Sequence, residues 1–228
     1  MKINISEIMR NARTSLQGKW GIAIATSLVS GLILGSYYFL YVNGANRGFW
    51  DNRLGNSDYT DVFSAVDLLL GGPIALGLSI FSLAIVRGQS VHFLLLFEGF
   101  KRWISAFLTY IVFIITIALW SLLLIIPGII AAFSYSMTFY VVADDEHIGV
   151  MDALAKSKKM MDGHKWQYFD LLLRFIGLAL LCILTLGIGF LWLAPYWEVC
   201  NATFYEALKA EEKGEVDVAE HLLVPELD

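Results

Sequence analysis

Two ionisable side chains stand inside stretches that are otherwise apolar: Arg174 and Glu198. A charge in such a place is costly, so it marks a candidate for solute binding, proton transfer or ion pairing. Arg174 lies about 9 Å into its stretch, and Glu198 about 15 Å from the C-terminal end of the next, at 1.5 Å per helical residue. The turn Gly187-Ile188-Gly189 makes the two stretches antiparallel neighbours. The spacing therefore predicts a buried Arg174–Glu198 pair. Asn201 and Tyr205 follow Glu198 at i+3 and i+7, on the same helical face, and complete the expected network. Such a set would hold a polar group of a substrate, or a proton. Its structural alternative is a pair that only ties two helices together. Asp67, near the end of another apolar stretch, is the remaining candidate, either as a cation-attracting carboxylate or as a solvated one.

Nothing points to bond-breaking chemistry. There is no GxSxG, HExxH or phosphate-binding loop, and His92, His147, His164 and His221 are scattered without ligand spacing. Cys182 and Cys200 fall in different apolar stretches and read as small core residues rather than a disulfide or metal pair. The expectation is a non-enzyme without metal or cofactor.

The elements that carry these residues answer to lipid. Residues 104–143 hold no charged side chain. As one helix they would reach about 60 Å, twice the bilayer's hydrocarbon core of about 30 Å. Pro127-Gly128 divides the run into two. The chain is 57% hydrophobic and 16% charged, with mean hydropathy +0.64, beyond the usual range of soluble domains. The fold class expected is all-α: a polytopic membrane protein with six spans near 20–42, 63–86, 105–126, 128–143, 169–187 and 190–208. Helix is the state that satisfies its own backbone in lipid. Within the first span, Ser27, Gly31 and Gly35 make a ladder of small residues suited to close helix packing. In the second, Gly71-Gly72-Pro73 reads as a kink, a late helix start or a broken, substrate-facing helix.

Of the 16 basic residues, 13 fall in segments on one side: the N-terminus, the second and fourth connections and the tail. Arg47 and Arg53 lie on the other side, in the polar stretch at 44–60. The bias places both termini in the cytoplasm of a bacterial plasma membrane. The charged, amphipathic N-terminus lacks a cleavage pattern and reads as retained. The net charge of −5 arises from the tail, where residues 211–228 carry seven acids and one lysine. The rest is near neutral, so nucleic acid is not an expected partner. Membrane lipids are, together with a second copy or another membrane protein.

A motif recurs three times. Leu16-Gln-Gly18-Lys19-Trp20 precedes the first span, Phe97-Glu-Gly99-Phe-Lys101-Arg-Trp103 the third, and Met161-Asp-Gly163-His-Lys165-Trp166 the fifth. Thr138-Phe139-Tyr140 recurs as Thr203-Phe204-Tyr205, and Pro73, Pro127 and Pro195 fall one per return span. The unit is an amphipathic cytoplasmic helix, a glycine stop, a basic-aromatic anchor and a helical hairpin. Ile5, Ile8, Met9, Ala12 and Leu16 share one face of the first such helix; Val150, Leu154, Ser157 and Met161 line the one before the fifth span. Lys19, Trp20, Lys101, Trp103, Lys165 and Trp166 are the expected lipid-interface anchors. The hairpin units run at about 1–87, 88–145 and 146–210, within one membrane domain, followed by the acidic tail 211–228.

Several further motifs carry a family resemblance: Asn11-Ala12-Arg13, Gly72-Pro73, Arg87-Gly88, Leu119-Trp120 through Ile126-Pro127-Gly128-Ile129, and Ser134-Tyr135-Ser136-Met137. Ser157-Lys158-x-Met160-Met161-x-Gly163-His164-Lys165, Pro195-Tyr196 and Phe204-Tyr205 continue it. With the three anchor motifs, these make the chain resemble, over about residues 5–208, the bacterial integral-membrane family known as domain of unknown function 975. The resemblance implies a six-span membrane protein and supplies no substrate or catalytic residues. It departs at Arg174, where its pattern implies a small polar residue. Two functions fit: binding or moving a small amphipathic solute, lipid or peptide between hairpins, or anchoring a partner through the cytoplasmic helices. A cavity containing Arg174, Glu198 or Asn201 would favour the first.

Overall fold

The computed structural model covers residues 3–33, 57–123 and 125–223; for 57–68, 123, 125–126 and 215–223 it describes the backbone alone. Every regular element among these residues is helical. In chain order they are α1 (Ile5–Ser15), α2 (Trp20–Ile33), α3 (Ser57–Val86), a 3₁₀ segment (Phe93–Arg102), α4 (Trp103–Leu123), α5 (Ile125–Tyr135), α6 (Thr138–Asp144), α7 (Val150–Met160), α8 (Lys165–Leu184) and α9 (Phe190–Leu223). Three stretches are long and apolar enough to cross a membrane: Leu69–Val86, Phe93–Leu122 and Lys165–Leu184. The shortest, at 18 residues, makes about 27 Å of helix. Around the turn at 185–189 the α8–α9 pair exposes leucine on all sides, with Leu184 79% and Leu186 94% exposed. That surface needs an apolar surrounding.

The expected spans need adjusting. The outer part of the first, 34–42, and most of the polar stretch 44–60 lie outside the described residues, as does the end of the acidic tail, 224–228. α3 begins at Ser57, before the expected 63, and α9 runs to Leu223, into the expected tail. Helix α5 begins at Ile125, so Pro127 sits in its first turn, where a missing N–H costs nothing, rather than between helices. The run is divided where α4 ends at Leu123 and α5 begins at Ile125, and again at Ser136-Met137, between α5 and α6. There the Ser136 hydroxyl donates to the Phe133 carbonyl (2.8 Å) and that of Thr138 to Tyr135 (2.7 Å).

The ladder Ser27, Gly31, Gly35 is not the packing face of α2. Gly31 has open space beside it, Ala23, Thr26 and Ser30 are the buried stripe, and Gly35 lies outside the described residues.

Gly71-Gly72-Pro73 does not break α3, which runs through it. These residues let another backbone come close. A Cβ on Gly72 would stand 2.5 Å from the Ala106 carbonyl oxygen, one on Gly77 1.9 Å from that of Leu96, and one on Gly99 2.0 Å from that of Pro73. Main chain thus rests on main chain along one face of α3. This contact explains why Phe93–Arg102 is a 3₁₀ segment and not the amphipathic α-helix the repeat predicts. Pro73 also lacks the N–H that would bond the Leu69 carbonyl one turn back. The indole N–H of Trp103 donates to that carbonyl instead (3.3 Å).

The three motif glycines consequently differ. Gly18 and Gly163 follow α1 and α7 with φ of +74° and +79°, a left-handed stop that favours glycine. Gly99 lies within the 3₁₀ segment and is glycine because Pro73 leaves no room for a side chain.

α1 and α7 are the expected amphipathic helices, and their apolar faces are consumed inside the fold. Ile5, Ile8, Ala12 and Leu16 are buried, with α1 packed on α9. Asn4 caps α1 through Ser6 N–H (3.1 Å), and the Tyr196 hydroxyl donates to the Met9 carbonyl (3.0 Å). Ala153, Leu154, Ser157 and Met160 of α7 are buried against α5 and α6, where the Ser157 hydroxyl donates to the Ser134 carbonyl (3.0 Å). Each leading segment therefore lies on a proline-bearing helix: the 3₁₀ segment on α3, α7 on α5, and α1 on α9.

The last residues of α3 and α6 meet α9 in an ionic cluster. Arg87 donates to Asp144 (2.5 Å) and to Glu206 (2.8 Å from Nε), and Lys209 pairs with Asp144. The Tyr205 hydroxyl donates to the other oxygen side of the same carboxylate, Oδ2, at 3.1 Å. Burial opposes ionisation of Asp144, but the bonds and charges of Lys209 and Arg87 outweigh it and hold the carboxyl at about 2. Beyond the cluster, Glu211 faces His164 (3.8 Å) and Glu212 faces Lys159 (3.9 Å), so the start of the acidic tail lies against the basic end of α7.

Candidate functional site

Between these helices lies a cavity of about 390 Å³. Helix α3 contributes Ala75, Leu78 and Ser79, and α4 contributes Phe113. Ala132, Phe133 and Ser136 of α5 and Phe139 and Tyr140 of α6 form the wall at the break. Tyr168 and Leu172 of α8 face Trp197, Glu198 and Asn201 of α9. The size suits one small molecule, and the lining is apolar and aromatic with a few polar groups, the usual make-up of a ligand pocket. A break in a helix at such a wall frees backbone groups for a ligand. The helix break at this wall is at Ser136-Met137, not at Gly71-Gly72-Pro73.

Local helix geometry explains who points inward. On α9, Trp197, Glu198 and Asn201 fall on one face by their i, i+1, i+4 spacing. The Asn201 amide is fixed from both ends: its NH₂ donates to the Trp197 carbonyl (3.0 Å) and its oxygen accepts from Tyr168 (3.0 Å). The Tyr140 hydroxyl lies 3.4 Å from Glu198 Oε2 and 3.3 Å from the Glu198 carbonyl. Glu198 Oε1 has no donor among the described residues, and no buried side-chain oxygen is left sealed and unsatisfied. Tyr140 stacks on Tyr205 (centroids 5.9 Å apart), whose hydroxyl meets Asp144. The two tyrosines thus join the cavity carboxylate to the ionic cluster.

Arg174 and Glu198 do not pair, contrary to the expectation. Arg174 is bound to Asp170 (3.2 Å) one turn back and to the Ser6 hydroxyl (3.0 Å) of α1. Its neighbour Phe175 is the residue that faces α9, packed on Tyr196 and Trp197. One residue is about 100° of helical rotation, which turns Arg174 from α9 toward α1. The short turn does make α8 and α9 neighbours, but the facing rows hold aromatics. Of the expected network, Glu198 and Asn201 line the cavity, Tyr205 belongs to the ionic cluster, and Arg174 is outside both. Asp67 lies on α3, in the part whose side chains fall outside the described ones.

The anchors separate as well. Lys19 reaches the Gln89 carbonyl (3.4 Å), Trp20 packs against the core, and Trp103 bonds α3. Lys101 meets Glu98 (3.3 Å), Lys165 is half-buried, and Trp166 is 77% exposed beside Phe169. Trp166 has the largest free surface of the three tryptophans, against 38% exposure for Trp103.

Asp144, Glu206, Tyr140 and Tyr168 were not singled out from the sequence. A usable signal existed for one: Asp144 is the first charge after the uncharged run 104–143. Both cysteines are free thiols, and no group of three His, Cys, Asp or Glu among the described residues could hold a metal.

No curated protein and no solved structure matches the chain. Residues 122–212 match the family model described as protein of unknown function DUF975, a span from the end of α4 through α9 that includes the cavity wall of α5, α6, α8 and α9. Over that span, this chain is similar to the DUF975 family.

Proposed function

We propose that the chain is a six-span, non-enzymatic protein of the bacterial plasma membrane that binds one small amphipathic molecule in the cavity between α3, α5–α6 and α8–α9. The carrying observation is the cavity itself: an apolar, aromatic chamber with Glu198 and Asn201 in one wall and a helix break in the opposite one. Glu198 has Tyr140 beside it but no second carboxylate, histidine or thiol in the lining, so the site is built to hold rather than to react.

The contacts of equivalent positions support three repeated units about one axis. Tyr140 and Tyr205, equivalent in the Thr-Phe-Tyr repeat, stack on each other. Arg87 lies as far beyond Pro73 as Lys209 lies beyond Pro195, and both close on Asp144. The leading segments dock in cyclic order, each on the return helix of another unit, with α1 on α9 closing the ring. The alternative reading, a scaffold that recruits a partner through its amphipathic helices, is disfavoured because those apolar faces are already buried.

Two measurements test this. Purified from membranes and examined by native mass spectrometry, the wild type should retain a small molecule or lipid that Ala132→Trp, which fills the cavity, loses. Equal retention by both would remove the cavity from consideration. Single cysteines in 44–60 and in 145–164 should be labelled by an impermeant reagent in intact cells only in the former; the reverse pattern would invert the topology.

A further inference from the structure

We propose that the ligand of this cavity is a hydrophobic organic cation, its ammonium held at Glu198 and its apolar body against the aromatic lining. The proposal rests on the cavity being the binding site and adds the charge and class of what enters it.

Charge is the first argument. Among the described residues, Glu198 is the one carboxylate in the lining, and no lysine, arginine or histidine lines the cavity. The nearest expected countercharge, Arg174, is spent on Asp170 and Ser6. The one hydroxyl proton of Tyr140 is shared between Oε2 and the Glu198 carbonyl, and Oε1 has no donor among the described residues, so it keeps its capacity for a partner. A carboxylate in an apolar wall without a countercharge is costly, and a bound cation removes that cost. An anion would find a like charge and no cationic donor.

The lining supplies the second argument. Phe113, Phe133, Phe139 and Trp197, with Tyr140 and Tyr168, ring a space whose rim carries one anion. Aromatic faces attract a cation electrostatically, and most strongly where water is excluded. An inorganic ion is a poor fit, because the Asn201 oxygen is already taken by Tyr168 and a calcium-like cation needs six or more oxygens. A body of organic carbon is what the remaining surface accepts, and about 390 Å³ admits one such molecule rather than a whole phospholipid.

The test uses the full chain in nanodiscs of zwitterionic lipid, with binding to empty nanodiscs subtracted. Two probes of one shape differ only in charge: benzyltrimethylammonium and its carbon isostere neopentylbenzene. Isothermal titration should show the cation binding the wild type at least about tenfold tighter, the equivalent of 1.4 kcal/mol. Glu198→Gln should shrink that preference to what the aromatic lining alone supplies, and Ala132→Trp should remove binding of both probes. Unfolding temperatures of the variants report whether each remains folded; the wild-type comparison needs no variant. Equal binding of the two probes to the wild type would overturn the cation proposal and leave the cavity reading standing. Binding of neither would overturn both. An undiminished preference for the cation after Glu198→Gln would place the cation elsewhere and overturn the proposal.

Discussion

Gly77→Ala will cost most of the protein's stability. The added Cβ would stand 1.9 Å from the Leu96 carbonyl oxygen and 2.8 Å from its carbon, with the Leu96 Cα at 3.2 Å. All three are main-chain atoms, so no side chain can rotate away. Relief requires separating α3 from the 3₁₀ segment, which would also part Gly99 from Pro73 and Trp103 from the Leu69 carbonyl. Ordinary overpacking of a core costs about 1–3 kcal/mol. Loss of a whole backbone seam should exceed about 4 kcal/mol, a large part of the roughly 5–15 kcal/mol that holds a domain together. Gly31→Ala is the matched control. Gly31 is helical with open space beside it, so the same methyl should leave stability unchanged or raise it by up to about 1 kcal/mol. Thermal unfolding in detergent compares the two directly. If Gly77→Ala unfolds at the temperature of Gly31→Ala, the close approach of the two segments is wrong.

The second large effect is expected at Asp144. Its carboxylate takes Arg87, Lys209 and Tyr205 at once and ties the ends of α3 and α6 to α9. Asp144→Asn removes the charge and leaves Arg87 and Lys209 facing one another with Glu206 as the remaining anion. A fully buried pair broken in this way loses about 3–5 kcal/mol and an exposed one about 0–1. The Asp144 side chain is 13% exposed, Arg87 31% and Lys209 28%, which places the loss between these limits, at about 2–3 kcal/mol. The pH dependence has a definite sign. The carboxyl lies at about 2 in the folded chain against an ordinary 3.8, a depressed value. Its contribution is therefore whole above the ordinary value and is lost as pH falls from there through about 2. Between pH 5 and 2 the wild-type unfolding temperature should fall toward that of Asp144→Asn, and the gap between them should narrow. A gap that stays constant over that range would show that the cluster does not depend on this charge.

Much of the architecture was readable from composition and period. An uncharged run of residues 104–143 has few other fates than apolar helix, and Gly18, Gly163 and Gly187 marked where helices stop, whereas Pro73 and Pro195 lie inside theirs. The amphipathic stripes of α1 and α7 named most of their buried residues, Ile5, Ile8, Ala12 and Leu16 in the first and Leu154, Ser157 and Met161 in the second, but included the half-buried Met9 and Val150 and missed Ala153 and Met160. The turn Gly187-Ile188-Gly189 was equally plain, since helix hydrophobicity continues on either side and only the glycines interrupt it.

The site was half legible. Burial cost drew attention to Glu198 and to the Asn201 that lines the same wall, and both are there. It drew equal attention to Arg174, wrongly. A long side chain can leave its own helix face for a nearby carboxylate, and Asp170 stood one turn away. The second copy of the repeat deceived for a related reason. Its glycine matches the others in type, but Gly18 and Gly163 are set by backbone dihedral, a local property, whereas Gly99 is set by the approach of Pro73, which belongs to another segment.

The sequence by itself determined what each segment is: apolar helix, amphipathic helix or turn. Each of these depends on neighbours along the chain, through hydrogen bonds that close within one helix and through periods of three to four residues. Only the tertiary structure decided which helix each face meets. That choice placed Asp144 between Arg87 and Lys209, let Trp103 take the carbonyl that Pro73 leaves free, and left Glu198 beside a cavity with a tyrosine for its partner. The physical reason is that a helix rotates about 100° with each residue, so the difference between a salt bridge and an unpaired carboxylate is a single position, and packing against a third helix sets it.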